Sequence, residues 1–261
     1  MTPGEAEHLG DELYQALRTR RTVPPITERC PGVSIDDAYR ISLRMLRRRE
    51  ADGERVVGKK IGVTSEAVQR MLGVYQPDFG FLTDAMMFPD GAAIPVGDLL
   101  IQPRAEGEIA FVLARDLHGP GVTEADVLAA TRCVRPCFEI VDSRIRDWKI
   151  RIEDTVADNA SSGVFVLGPE EVDPRAVDLP ACRIAVEKNG APLSEGVGAA
   201  ALGSPAACVA WLANTLSRFG IALRAGEIVL SGSLVPLEPV RPGDTLSLRL
   251  EGLGGASVAF T

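Results

Sequence analysis

A pair of glutamates split by one glycine, Glu106-Gly107-Glu108, opens the apolar run Ile109-Ala110-Phe111-Val112-Leu113. That run is β-branched and aromatic, which predicts a strand. Successive strand side chains point to opposite faces, so Glu106 and Glu108 share one face. Two carboxylates side by side at a semi-buried position repel each other and are costly to desolvate. A divalent cation between them removes the repulsion, and hard cations such as Mg2+ favour oxygen ligands. A third acid, Glu139, lies in a second apolar run, Cys137-Phe138-Glu139-Ile140-Val141. Three carboxylates on strands suit an oxygen-ligand metal site. The alternative is that Glu106 and Glu108 line a solvated face and Glu139 pairs with an arginine. Spacing alone leaves both open.

Exclusion narrows the chemistry. The chain has only 2 histidines, His8 in a polar N-terminal stretch and His118 in the turn-like Leu117-His118-Gly119-Pro120-Gly121. Neither suits a His-rich zinc site or a Ser-His-Asp triad. The 5 cysteines (Cys30, Cys133, Cys137, Cys182, Cys208) contain no C-x-x-C pair, which argues against an all-cysteine zinc site. Cys133 and Cys137 read as small buried thiols. Acid-base work therefore falls to carboxylates, lysine, tyrosine or metal-bound water.

With 261 residues, 46% hydrophobic and 25% charged, the chain has ample core for one large domain or one with a small appendage. A formal net charge of -8 argues against a phosphate-backbone partner. An odd number of unpatterned cysteines suggests a reducing compartment. The N-terminus has no basic segment followed by an apolar one, and no apolar run reaches membrane-spanning length. The expected location is the cytoplasm.

Two regions emerge along the chain. From about Glu5 to Thr19, Leu9, Leu13 and Leu17 recur as on one helix face. Residues 22–31, with Val23-Pro24-Pro25, read as a connecting loop. Ser34 and Asp37 form a capping-box pattern that opens a helix to about Arg49. The basic run Arg47-Arg48-Arg49 suits that helix's C-terminal end. Residues 1–54 thus read as a small helical N-terminal region. Beyond Arg55 the chain is mainly strand, with a helix capped by Thr123 and another opening at Ser204-Pro205 and stopping by Gly220. No alternating βαβ pattern or phosphate-binding loop appears. Residues 55–261 read as one β-rich α+β domain.

Several long segments then carry a resemblance. They are Val57-Gly58-Lys59-Lys60-Ile61-Gly62-Val63-Thr64-Ser65, Gln76-Pro77-Asp78-Phe79-Gly80, Gln102-Pro103-Arg104-Ala105-Glu106-Gly107-Glu108-Ile109-Ala110 and Asp142-Ser143-Arg144-Ile145-Arg146-Asp147-Trp148. Asp154-Thr155-Val156-Ala157-Asp158-Asn159-Ala160-Ser161-Ser162-Gly163 and Leu230-Ser231-Gly232-Ser233-Leu234 follow. In this order they resemble the 2-oxopent-4-enoate (2-hydroxypenta-2,4-dienoate) hydratases of bacterial aromatic meta-cleavage pathways. Those enzymes belong to the fumarylacetoacetate hydrolase superfamily. The resemblance implies a β-rich roll, a divalent metal (Mg2+ or Mn2+) on Glu106, Glu108 and Glu139, and hydration of a 2-hydroxydienoate to 4-hydroxy-2-oxopentanoate. It also implies a homo-oligomer and an association with 4-oxalocrotonate decarboxylase.

The resemblance places Lys60 near the substrate oxygens; otherwise Lys59 and Lys60 are ordinary strand-end charges on opposite faces. Asp78, in its Pro-Asp-Phe-Gly turn, is either a general acid/base or a turn former. Ser161 is matched to binding of the substrate carboxylate. Arg104 and Arg144 read as surface partners of neighbouring acids rather than carboxylate clamps. Alternatives are 4-oxalocrotonate decarboxylation, acylpyruvate hydrolysis and a non-catalytic role in a hydratase–decarboxylase complex. Acylpyruvate hydrolysis would need a His-Glu dyad, for which only His8 lies upstream.

Overall fold

A reciprocal cap starts the first helix, α1 (Pro3–Thr19): the Thr2 hydroxyl accepts from the Glu5 N–H while the Glu5 carboxylate accepts from the Thr2 N–H. The computed structural model describes residues 1–65, 69 and 76–261. Within residues 22–31 the chain makes one helical turn, α2 (Ile26–Arg29), where a plain loop is expected. Ile26 is wholly buried and pins that turn to the core. Helix α3 (Ile35–Ala51) starts at the Ser34/Asp37 capping box. It packs closely on α1, because a side chain at Gly10 would stand 2.6 Å from Arg44 Cβ. Arg49, read as a helix-end cation, instead turns inward. Its Nε donates to Glu54 at 2.8 Å and its Nη2 to the Thr83 hydroxyl at 3.0 Å.

The strands follow in the order β1 (Val56–Gly62), β2 (Asp78–Thr83), β3 (Met87–Pro89), β4 (Ala92–Ile94), β5 (Arg104–Leu113), β6 (Thr131–Val141), β7 (Ser162–Leu167), β8 (Arg183–Lys188), β9 (Ala191–Val197), β10 (Ile228–Leu230), β11 (Glu238–Pro239), β12 (Thr245–Leu250) and β13 (Gly254–Phe260). Among the described residues, four α-helices interrupt them: α4 (Val96–Leu99), α5 (Glu124–Ala130), α6 (Ile152–Ala157) and α7 (Pro205–Ser217). The larger sheet runs β2-β1-β10-β5-β6-β7-β3, with β11 beside the start of β5. The smaller runs β4-β13-β12-β8-β9.

The larger sheet curls on itself. Asn159, just before β7, reaches β2: its Oδ1 accepts the Phe81 N–H at 2.8 Å and its Nδ2 donates to the Phe81 carbonyl at 2.9 Å. The amide thus stands in for a strand neighbour along β2. Gly80 makes this approach feasible, since a Cβ there would lie 2.4 Å from the Asn159 carbonyl oxygen.

Curling separates two faces by strict alternation. On the outer face Ile109, Phe111, Phe138, Ile140, Val164, Val166 and Val229 join the main core. On the inner face Ala110, Val112, Cys137, Phe165, Leu167 and Leu230 form a separate apolar cluster. Glu106 and Glu108 have the parity of Ala110, and Glu139 that of Cys137. The inner cluster therefore lies on the same face of the curled sheet as the three glutamates. Helix α7 covers the sheet with Cys208, Leu212 and Leu216, all wholly buried, while Trp211 is only half-buried.

Candidate metal centre and active site

Strand register assembles the acidic cluster. Glu106 sits directly opposite Glu139 across the β5–β6 ladder, and Glu108 lies two positions along the same face. One carboxylate oxygen from each of the three lies within 4.8 Å of the others. Glu106 is 7% exposed, Glu139 1% and Glu108 not at all, so the solvated-face reading does not hold. Glu108 Oε2 accepts the Gly232 N–H at 2.8 Å. Its Oε1 and both Glu139 oxygens accept no hydrogen bond among the described residues.

Burial pushes the Glu106 carboxyl up to about 7, helped by the charge of Glu139. Burial also drives Glu108 well above the usual carboxylate range. Three buried carboxylates, of which Glu108 and Glu139 have oxygens that accept no hydrogen bond among the described residues, are strongly unfavourable alone. An all-oxygen donor set of this size fits a hard divalent cation, which would satisfy those oxygens.

Lys60 and Asp78 enter from the neighbouring pair of strands, where Lys60 faces Gly80 and Gly62 faces Asp78. Lys60 Nζ stands 3.3 Å from Glu139 Oε1, so the partner of Glu139 is a lysine rather than an arginine. Burial works against the Lys60 charge, but Glu139, Asp78, Glu106 and Glu108 more than offset it and hold the ammonium protonated. Asp78 is 2% exposed. Its Oδ2 accepts from the Thr155 hydroxyl at 2.6 Å, while its Oδ1 accepts no hydrogen bond among the described residues. A Cβ at Gly62 would lie 2.3 Å from that Oδ1 and 3.3 Å from Lys60 Nζ. Glycine there leaves room for both groups side by side. Burial raises the Asp78 carboxyl, against the pull of Lys60.

Lys59 points the other way, as alternation requires, yet it is no ordinary strand-end charge. It is 3% exposed, with its Nζ 2.6 and 2.7 Å from the two Glu227 oxygens. Both faces of β1 are covered, which the pair of lysines gave no reason to expect.

Ser161 closes an unusual turn. Asn159, Ala160 and Ser161 have φ of 54°, 50° and 53°, three consecutive left-handed residues without a glycine. Such a run costs on the order of 1–2 kcal/mol per residue unless its surroundings hold it. Arg144 does the holding. It is wholly buried, ion-paired to Asp158, and donates to the carbonyls of Asp142, Asp158 and Ser162. This corrects the reading of Arg144 as a surface ion-pair partner. Arg104 is corrected too: its guanidinium lies 4.7 Å over the Trp148 ring and makes no ion pair among the described residues. Ser161 Oγ is buried and has no hydrogen-bond partner among the described residues. The next residue, Ser162, pairs with Val141, two positions along β6 from Glu139.

Sequence reasoning passes over Thr155, Gly62 and Gly232. Their only signal is membership of the long motifs, and the contacts that give them meaning lie far apart in the chain. The histidines stay outside: His8 is exposed on α1, and His118 is exposed beside Asp116.

A curled sheet with a buried triad of carboxylates and a facing lysine defines a class of metal-site folds. The chain belongs to the fumarylacetoacetate (FAA) hydrolase family, whose C-terminal domain model matches residues 57–260. It is 71% identical over 82% of its length to a 2-hydroxypent-2,4-dienoate hydratase of Pseudomonas putida, covering 96% of that protein. It is 60% identical over 98% of its length to a 2-hydroxyhexa-2,4-dienoate hydratase of Comamonas testosteroni, covering 97% of it. Among solved structures, the 4-oxalocrotonate decarboxylase from Pseudomonas putida G7, complexed with magnesium and adipate, superposes with a TM-score of 0.97 at 37% identity, covering 100% of this chain and 99% of that one.

Proposed function

We propose that this chain is a hydro-lyase dependent on a divalent metal, Mg2+ or Mn2+. It adds water to 2-hydroxypenta-2,4-dienoate to give 4-hydroxy-2-oxopentanoate in the meta-cleavage degradation of aromatic compounds. The observation that carries the reading is the buried Glu106/Glu108/Glu139 cluster, in which oxygens of Glu108 and Glu139 accept no hydrogen bond among the described residues, faced by Lys60 and Asp78. A cation held by those three glutamates would supply Lewis acidity toward the substrate's carboxylate and 2-oxygen.

The chain's own groups do the rest. Lys60, held protonated, places positive charge where negative charge grows on the substrate oxygens. Ser161 Oγ, buried and without a hydrogen-bond partner among the described residues, donates to the substrate carboxylate. Hydration needs one proton delivered to C5 and a second to C3, balanced by one lost from the 2-hydroxyl as it becomes the 2-oxo group and one removed from the water that adds at C4. Asp78 Oδ1, beside Lys60 and accepting no hydrogen bond among the described residues, moves such protons in this reading. The apolar cluster of Ala110, Cys137, Phe165 and Leu230 on the same face excludes bulk water. Residues 55–261 form the catalytic domain, and residues 1–54 form a helical support on it. The enzyme works in the cytoplasm as a homo-oligomer that also associates with 4-oxalocrotonate decarboxylase.

Identity favours hydration over decarboxylation, at 71% and 60% to the hydratases against 37% to the decarboxylase. Both hydratases carry monocarboxylate dienoates in their names, which supports a monocarboxylate substrate. The exposed positions of both histidines weigh against acylpyruvate hydrolysis through a histidine dyad. The assembled site weighs against a purely structural subunit. Given the dienoate, the purified chain is expected to consume its absorbance and yield 4-hydroxy-2-oxopentanoate with no release of carbon dioxide. Decarboxylation of 4-oxalocrotonate by the isolated chain at a comparable rate would contradict the reading.

A further inference from the structure

Helix α6 is short, yet three of its polar contacts reach different parts of the molecule. Asp154 accepts from the Thr27 N–H at 3.1 Å and from the Thr27 hydroxyl at 2.7 Å, which fixes α6 to α2. Asp158, at its C-terminal end, is ion-paired with buried Arg144. Between these anchors Thr155, only 4% exposed, places its hydroxyl 2.6 Å from Asp78 Oδ2 and 3.1 Å from the Ile152 carbonyl oxygen. A hydroxyl has one proton to donate, and a carboxyl oxygen can accept it whether the group is ionised or protonated on its other oxygen. With Asp78 ionised, Thr155 donates to Oδ2. With Asp78 protonated on Oδ1, Oδ2 is the carbonyl oxygen and still accepts from Thr155. In both states Oδ2 is satisfied, and Oδ1, beside Lys60, is the oxygen that takes up or gives the proton.

We propose that Thr155 is a positioning residue for Asp78, holding one carboxyl oxygen so that the other faces the substrate throughout the proton transfers. The inference rests on the acid-base role proposed for Asp78 above. Fixing α6 at both ends keeps the hydroxyl in register with Asp78 as Oδ1 takes up or gives its proton.

The test compares Thr155→Val, which removes the hydroxyl at nearly constant shape, with Thr155→Ser, which keeps it. Each is made in the metal-loaded protein and in an Asp78→Ala background. Thr155→Ala serves as a second hydroxyl-free variant if the valine form does not fold. The hydroxyl-free variant should lower kcat by about ten- to a hundredfold, the range for losing a hydrogen bond to a charged group, with KM and metal affinity nearly unchanged. Thr155→Ser should recover most of that loss. With Asp78 already alanine, removing the hydroxyl should cost nothing further. Equal losses in the serine and valine variants would overturn the inference, as would a full further loss in the Asp78→Ala background. Full activity of Asp78→Ala alone would remove the acid-base reading itself. An impaired Asp78→Ala beside an unimpaired Thr155→Val would remove only the role of Thr155.

Discussion

Lys60→Ala is expected to lower kcat by about 10²–10³, the range for losing one preorganised charge contact to a transition state. Metal affinity should not fall, because removing a cation beside the site lessens its repulsion of a second one. The argument rests on where the ammonium sits. It is buried, 3.3 Å from Glu139, and stands beside Asp78 over Gly62. Lys59→Ala is the comparison, and the structure changes how it is read. Lys59 lies on the other face of β1, bonded through its Nζ to both Glu227 oxygens. Its loss should lower the melting temperature but leave kcat nearly intact when both variants are assayed well below that temperature. Steady-state kinetics with a metal titration check both halves. Loss of activity in Lys60→Ala only through loss of metal, or equal kcat losses in the two variants, would show that the assignment is wrong.

Arg144→Met should be among the most destabilising single changes in the chain. It leaves Asp158 buried without its partner and frees the carbonyls of Asp142, Asp158 and Ser162. Breaking a buried pair from one side costs about 3–5 kcal/mol. In a chain of this size that lowers the melting temperature by on the order of 10 °C. The same change releases the left-handed run at Asn159, Ala160 and Ser161, so activity should fall even where the protein stays folded. Adding Asp158→Asn, which removes the stranded charge, should return part of the stability and little of the activity. Thermal unfolding of the single and double variants tests this, and a single variant as stable as the parent would refute it.

The contrast between Lys60 and Arg144 shows what the sequence made legible. The acidic face of β5 was readable because strand alternation is local, and two glutamates at i and i+2 must share a face. The capping boxes at Ser34 and Thr123 were readable for the same reason, since each closes within four residues. Lys59, Arg49 and Arg144 were misplaced because a charged residue gives no local sign of burial. Their partners Glu227, Thr83 and Asp158 become neighbours only when the sheet and helices pack. The α2 turn was missed because the buried Ile26 and the Asp154 contact to Thr27, rather than any helical periodicity, hold it. The long motifs marked the region of the site, while the role of Thr155 within one of them depends on a partner 77 positions away.

Protonation of the cluster sets the expected pH behaviour. Without metal, burial raises the Glu106 carboxyl to about 7 and raises Glu108 and Glu139 as well. Across roughly pH 4.5 to 7 the folded protein then binds more protons than the unfolded chain, so the stability of the metal-free form falls as pH rises through that window. A cation displaces those protons, and metal affinity therefore rises with pH over the same range.

The most direct measurement is turnover of 2-hydroxypenta-2,4-dienoate by chelator-treated protein as Mg2+ or Mn2+ is returned, at several pH values. The expected result is no turnover without metal, recovery on titration, and a half-saturating metal concentration that falls as pH rises through about 7. Glu108→Gln should need more metal to reach the same rate. Full turnover by the chelated protein would contradict the account.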